Sequence, residues 1–269
     1  MRLRNKIVLV TGAGKGIGRA IALGMADEGA DVIVNYNTDK EGAEQVVAQI
    51  AGKGGRAVAV QANISRPDDI VAMFRTIREQ FGRLDAIVNN AGLTGWTGLF
   101  ETTVEKWDTV METNLRGTFF CSLEAAKMMR DSGGGSIVNV STNCAELGVK
   151  NLVAYASSKG GIHAMTKQLA VELAPYRIRV NTFAPGPTLV DRNTNDDPDY
   201  ARTWGEMVPL ARVAAPEEMV GPAVFLASDD SSYMTGQIFY VDGGWTVSGR
   251  IPSEYFASAA TKNAAGGSH

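Results

Sequence analysis

Cysteine and histidine are nearly missing from this chain, with two of each among 269 residues. Cys121 and Cys144 fall in different expected elements and at no metal-type spacing, so they read as two reduced, small apolar residues. Two histidines cannot build a histidine-rich centre, and no metal site is expected. An excess of charge of one sign is missing too. A net charge of −3 gives no electrostatic reason to expect nucleic acid or an anionic membrane as partner. No apolar run approaches the ~20 residues a bilayer span needs. The start, Met1 to Asn5, enters a short apolar run with no small-residue cleavage site behind it. These absences lead to the expectation of a soluble, cytoplasmic protein whose partner is a small molecule.

What is present is an ordinary globular composition, 45% apolar and 20% charged, able to bury a core. Short β-branched runs alternate with longer helical patterns. Lys6–Val10 reads as a strand buried on both faces, because it has no polar alternation. Strands are also expected over Asp31–Asn35, Arg56–Val60, Leu84–Val88, Ser136–Val140, Ile178–Phe183 and Gln237–Val241. Helices are expected from Gly16 to Glu28, from near Asp39, from Pro67, over most of Val104–Asp131, over Val153–Pro175 and from Pro216 to near Ser228. In the fifth, Ile162, Met165, Leu169 and Leu173 share one face. Such alternation predicts an α/β fold: one doubly wound parallel sheet of about seven strands with helices on both faces. Residues 1–247 form a single catalytic domain in this reading, and 248–269 an extension whose last residues are disordered.

The first strand runs into Thr11-Gly12-Ala13-Gly14-Lys15-Gly16-Ile17-Gly18 just as a helix begins. A helix N-terminus offers free N–H groups to phosphate, and glycines let the backbone approach a pyrophosphate without a Cβ in the way. The second strand ends Val34-Asn35-Tyr36-Asn37, with no carboxylate for a ribose 2′-hydroxyl; Asp39 looks like a helix cap. A 2′-phosphate is therefore not repelled, and Lys15 can meet it as a point charge. NADP(H) is expected over NAD(H).

Tyr155 and Lys159 lie four apart on an expected helix, hence on one face. An ammonium beside a phenol favours the phenolate, which can exchange a proton with an alcohol oxygen. With Thr11-Gly12-x-x-x-Gly16-x-Gly18, Asn89-Asn90-Ala91-Gly92, Asn114, Pro185-Gly186 and Asp242-Gly243-Gly244, the pair completes an ordered set. From about Lys6 to Trp245 the chain resembles the short-chain dehydrogenase/reductase family. The resemblance implies a Rossmann-type fold, usually in tetramers, and an enzyme interconverting a carbonyl and an alcohol. It implies Tyr155 as general acid/base and Lys159 on the nicotinamide ribose, depressing the Tyr155 pKa. Asn114 would fix a relay water. Gly12, Lys15, Gly16, Ile17, Gly18, Asn35, Tyr36, Ile64 and Asn90, Ala91 and Gly92 would line the cofactor, with Pro185, Gly186 and Thr188 at its nicotinamide end.

Two positions depart from the family pattern. The substrate-orienting serine, thirteen before the tyrosine, is Thr142, with Ser141 just before it. Strand neighbours point to opposite faces, so only one hydroxyl faces the substrate. Thr142 is favoured, and Ser141 serves if the loop shifts by one. Asn63 stands where the family commonly has aspartate, and its carbonyl is expected to accept from the adenine amino group.

Substrate contacts are expected from three segments: Thr94 and Trp96; Asn143, Glu146, Lys150 and Asn151; and the irregular stretch 187–213, a lid carrying Arg192, Asn193, Asn195, Asp196, Asp197, Tyr200 and Trp204. Their polarity favours a small polar carbonyl or alcohol over a long acyl chain, with 3-oxoacyl-thioester reduction and sugar or polyol oxidation both open. The other reading is a non-catalytic NADP(H)-binding sensor, since a fold does not fix a function. Tyr255 and Phe256 of the extension are expected to anchor on a neighbouring subunit of a homo-oligomer, tetramer or dimer.

Overall fold

The structure is a computed structural model, and it describes residues 1–249. Seven parallel strands form one sheet in the order β3-β2-β1-β4-β5-β6-β7. They are β1 (Ile7–Val10), β2 (Asp31–Tyr36), β3 (Ala57–Gln61), β4 (Ala86–Asn89), β5 (Gly135–Val140), β6 (Ile178–Pro185) and β7 (Ile238–Val241). The helices are α1 (Gly16–Asp27), α2 (Lys40–Gly52), α3 (Pro67–Phe81), α4 (Val104–Met111), α5 (Gly117–Asp131), α6 (Val153–Leu173), α7 (Asp191–Asp196), α8 (Tyr200–Gly205) and α9 (Val220–Ala227).

Strand alternation distributes the core. Val8 and Val10 of β1 join Val32, Val34, Val138 and Phe183 under α1, α2 and α9, where Ile21, Met25, Val46, Ile50 and Val224 are buried. Ile7 and Leu9 face the other way, with Ile33, Ile87, Ile137 and Val180, against Ile70, Phe74 and Ile77 of α3, Cys121 and Met129 of α5 and Ala170 of α6. Burial on both faces is why these strands read as continuous apolar runs. Local signals set the ends: Asp39 caps α2 by accepting from the Gly42 N–H at 3.0 Å, and Gly82 ends α3 in the left-handed region at φ 73°.

Three expectations change. On α6 the fully buried line is Ser158, Lys159, Ile162, Thr166 and Ala170, while Met165, Leu169 and Leu173 are only half-buried. The helix packs against β6 partly through polar side chains, the Thr166 and Thr182 hydroxyls lying 2.7 Å apart. The stretch 187–213 is not irregular throughout, because it carries α7 and α8. Between α4 and α5, Glu112–Arg116 winds as a π-helical turn. The anchors proposed at Tyr255 and Phe256, and the tail 264–269, lie outside the described residues. No helix among the described residues is long and apolar enough to cross a membrane.

Candidate active site

The strand order reverses between β1 and β4, and ligands of open α/β sheets bind beyond the strand C-termini at such a switch point. A cleft of about 1110 Å³ lies there, running from Gly14 and Thr38 to Tyr155, Trp204 and Trp245.

Its first wall is the glycine turn. Gly12 sits at φ 63°, and a Cβ on it would come within 2.9 Å of the Ala91 Cα. A Cβ on Gly18 would overlap the Gly12 carbonyl and the Asn90 amide. Thr11 locks the two loops together: its hydroxyl accepts from the N–H groups of Asn90 and Ala91, each at 3.0 Å. Asn90 Nδ2 donates back to the Thr11 carbonyl at 2.9 Å and to that of Gly12 at 3.2 Å. Nothing acidic occupies the first turn of α1, and no side chain caps it, so its N–H groups remain available to an anion. A side-chain-free cradle at a helix N-terminus fits a dinucleotide pyrophosphate.

Asn35 lines this end of the cleft, but its amide serves the fold. Oδ1 accepts from the Gly12 N–H at 3.2 Å, and Nδ2 donates to the carbonyls of Val60 and Ala62. It positions the glycine turn, with Tyr36 beside it largely in the core. Asn63 also lines this end of the cleft. Its Oδ1 already accepts from the Ser65 N–H at 3.0 Å and the Ser65 hydroxyl at 2.9 Å, so the oxygen expected for the adenine amino group is engaged in a turn. Lys15 is exposed on the cleft rim with Asn37 and Thr38, while Asp39 is engaged on α2.

At the other end, β5 delivers Ser141 and Thr142 and α6 delivers Tyr155 and Lys159. The Thr142 hydroxyl accepts from the Cys144 N–H at 3.2 Å and lines the cleft together with Tyr155. The Ser141 hydroxyl turns to the Lys159 carbonyl at 3.4 Å. Lys159 is buried, donates from Nζ to the Val140 carbonyl at 2.7 Å and lies 6.0 Å from the centre of the Tyr155 ring. The expected depression of the Tyr155 pKa by Lys159 is not what the site shows. Burial pushes the phenol up to about 12, against downward pulls from the Arg192 charge and the Thr142 hydrogen bond. Burial, and then Arg192, bring the Lys159 ammonium down to about 8.

Asn114 lies behind the cleft, in the π-helical turn. Its Oδ1 accepts from the Leu93 N–H at 2.9 Å, while Nδ2 donates to the Leu93 carbonyl at 2.9 Å and the Ser158 hydroxyl at 3.1 Å. It reaches the cleft only past Gly92, where a Cβ would sit 3.1 Å from Asn114 Oδ1 and 3.5 Å from Lys159 Nζ. Pro185, Gly186 and Thr188 line the cleft beneath Asp242, which holds the N–H groups of Gly244 and Thr246.

The substrate segments divide. Thr94, Trp96, Asn143, Arg192, Asn193, Asn195, Asp196, Tyr200 and Trp204 line the cleft. Glu146, Lys150, Asn151 and Asp197 do not; Glu146 accepts from the Tyr240 hydroxyl at 2.9 Å, and Asp197 from that of Thr203. Sequence reasoning missed Cys144 and Trp245, which also line it. Trp245 gives no local signal, since it arrives through the turn after β7. No group of acids, cysteines and histidines that could hold a metal occurs among the described residues.

Residues 12–246 match a family model described as enoyl-(acyl carrier protein) reductase. A 3-oxoacyl-[acyl-carrier-protein] reductase of Synechocystis is 40% identical over 245 residues, 90% of this chain and 97% of that protein. One from Staphylococcus aureus is 40% identical over 239 residues, covering 89% and 97%. Among solved structures, one assigned as a gluconate dehydrogenase of Agrobacterium tumefaciens matches with TM-score 0.88 at 37% identity, over 91% of this chain and 98% of that one. Another, assigned as an NAD(P)-dependent gluconate 5-dehydrogenase of Beutenbergia cavernae with NADP at low occupancy, gives 0.86 at 38%, over the same shares.

Proposed function

The chain belongs to the short-chain dehydrogenase/reductase family, oxidoreductases acting on CH–OH and C=O groups, and from that premise we propose that it works with NADP(H) on a small carbonyl or secondary alcohol, with Tyr155 as general acid/base. One observation carries this reading: Thr142, Tyr155 and Lys159 line one end of the cleft whose other end is the glycine cradle. The nicotinamide, when bound, supplies or accepts the hydride. The chain's own residues do the rest. Thr142 and Tyr155 hold the reacting oxygen between two hydroxyls. Tyr155 delivers or takes its proton. Lys159, fixed by the Val140 carbonyl, supports the ribose and the phenol. Asn114 holds Leu93, and through it the segment after Gly92; the relay water is assigned to the remaining lone pair of its Oδ1.

The preference for NADP(H) rests on Lys15 at the rim and on Asp39 being tied to α2. A thermal-shift series with NADP(H) and NAD(H) tests it, because a ligand that binds only the folded state raises stability by mass action. Greater stabilisation by NAD(H) would overturn the preference.

Two specific activities fit. The curated relatives favour 3-oxoacyl-thioester reduction, and the solved relatives, with the polar cleft mouth, favour sugar or polyol oxidation. Turnover of acetoacetyl-CoA against gluconate and sorbitol separates them, and no turnover with any of these or with simple ketones would return the sensor reading. We place the protein in the cytoplasm as a homo-oligomer, tetramer or dimer. Exposed Phe119 on α5 and Val171 on α6 provide apolar surface for assembly, and light scattering in solution tests it.

A further inference from the structure

The lid end of the cleft sets Arg192, beside the carboxylates of Asp191 and Asp196, together with an aromatic wall. Arg192, on α7, lines the cleft that Tyr155 and Lys159 also line. Among the described residues its guanidinium has no carboxylate within ion-pair distance and donates no hydrogen bond. Its neighbours are otherwise occupied or apart: Arg202 takes Asp199, Asp197 accepts from Thr203, and Asp191 and Asp196 make no ion pair with it. Its charge is nonetheless felt at three cleft groups, Tyr155, Lys159 and Tyr200.

An aromatic cluster lines the same cleft. Trp204 is its centre, with Tyr200 at 5.3 Å between ring centroids, Trp245 at 5.9 Å and Trp96 at 6.3 Å, the two tryptophans edge-on. All four line the cleft, and they come from three separate parts of the chain. Trp96 remains about half exposed, at 47%, so this wall has an open face toward the cleft mouth. The lid that carries Arg192, Tyr200 and Trp204 is pinned at its base. Ala214 donates its N–H to the Pro187 carbonyl, and Leu189 donates to Ala214, each at 2.8 Å. Asn193 Nδ2 also donates to the Thr188 carbonyl at 2.9 Å, fixing the turn of helix that presents Arg192.

We infer that the substrate bears its own carboxylate, held by Arg192, while its carbon chain lies against the Trp96–Trp204–Tyr200–Trp245 wall and its carbonyl or alcohol meets Tyr155. An arginine and an aromatic wall lining one cleft suit an oxo acid or hydroxy acid: a planar fork matches a carboxylate bidentately, and aromatic faces take up CH groups. A neutral ketone leaves the guanidinium unmatched. This inference rests on the carbonyl–alcohol reading of the same site. The same guanidinium could meet a phosphate of the cofactor, so the experiment separates the two anions.

The test compares acids with neutral analogues of the same carbon skeleton: acetoacetate with methyl acetoacetate in reduction, and gluconate with sorbitol in oxidation. Acetoacetyl-CoA serves as the thioester arm. Wild type is expected to prefer acid over analogue in kcat/KM. In Arg192→Met that preference falls about 10- to 100-fold, the worth of a hydrogen bond to a charged group, with the change in KM, and Arg192→Lys recovers part of it. Binding is read separately from tryptophan fluorescence, since three tryptophans form the wall, by titrating each acid into protein saturated with NADP(H). There Arg192→Met weakens acid binding. An equal loss for acid and neutral analogue overturns the inference, as does a loss of NADP(H) affinity matching the loss of acid affinity. Wild-type turnover of ketones with no acid preference also sinks it and leaves the carbonyl–alcohol reading standing. Failure of turnover with every compound removes that reading instead, and acid binding by fluorescence then decides the role of Arg192.

Discussion

Replacing Thr142 by valine keeps the shape of a buried side chain and removes one hydroxyl. The residue is 7% exposed, so the near-isosteric change opens no cavity. The hydroxyl accepts from the Cys144 N–H at 3.2 Å, a capping interaction whose loss costs about 1 kcal/mol. Against a domain stability of roughly 5–15 kcal/mol the variant stays folded. The same hydroxyl lines the cleft with Tyr155, where the reacting oxygen is proposed to sit. Losing a preorganised donor at a developing oxyanion costs about 10²–10³ in kcat, roughly 3–4 kcal/mol. The kinetic effect thus exceeds the stability effect about threefold, and the two are measured apart, by turnover and by denaturant unfolding. Ser141→Ala removes only a 3.4 Å bond to the Lys159 carbonyl. It should cost at most about 1 kcal/mol, a change within about fivefold in rate. Thr142→Ser should restore most of the activity. A hundredfold loss in Ser141→Ala with a near-normal Thr142→Val would show that the wrong hydroxyl has been assigned.

Tyr155, raised to about 12 by burial, is a protonated phenol at neutral pH. Carbonyl reduction, which needs that proton, should be flat from about pH 6 to 7, below the titration of Lys159 at about 8, while kcat/KM for alcohol oxidation climbs toward pH 9 as the phenolate fraction grows; a flat oxidative profile would remove Tyr155 as the base. Gly18→Ala places a methyl on the Gly12 carbonyl and the Asn90 amide, so stabilisation by NADP(H) in a thermal shift should weaken at least about tenfold in affinity, and an unchanged shift would refute the cradle. Glu218, held to about 2 by two hydrogen bonds from Arg212 and one from the Ala215 N–H, clamps the base of the lid. Its folded pKa lies below its unfolded value, so its contribution is present above about pH 4.5 and lost as pH falls toward 2. The stability difference between wild type and Glu218→Gln should therefore vanish in acid, and a difference independent of pH would show that the ion pair is not its source.

The fold was legible because its signals are local. A strand buried on both faces announces itself as an apolar run, and Pro67 and Asp39 mark helix starts by their own chemistry. Tyr155 and Lys159 were legible as a pair because one helix carries both. The Thr142 and Ser141 alternative needed the backbone, since it turns on which hydroxyl the end of β5 aims at α6 and which at the cleft. The π-helical turn at 112–116 leaves no trace in the sequence. Gly117 is where it meets the rest of the fold: a Cβ there would come within 2.5 Å of the Ile64 carbonyl, a contact made across the chain. The aromatic wall was half legible, as Trp204 and Tyr200 are near neighbours in sequence, whereas Trp245 reaches them only because β7 lies at the sheet edge beside β6.

The asparagines show why residue type alone misleads at this site. Where parallel strands end, the chain must leave the sheet, and its last N–H and C=O groups lose their ladder partners. A carboxamide carries both a donor and an acceptor, so one side chain can serve both kinds. Asn35 does this for the Gly12 N–H and the carbonyls of β3, Asn114 for both backbone groups of Leu93, and Asn181 for the Met234 carbonyl and the Gln237 N–H. An aspartate at any of these positions would offer no donor and would bury a charge among carbonyl oxygens. The same polar atoms that a ligand could have used are therefore committed to the backbone. What remains for ligands includes the N–H groups at the start of α1, the hydroxyl of Tyr155 and the guanidinium of Arg192.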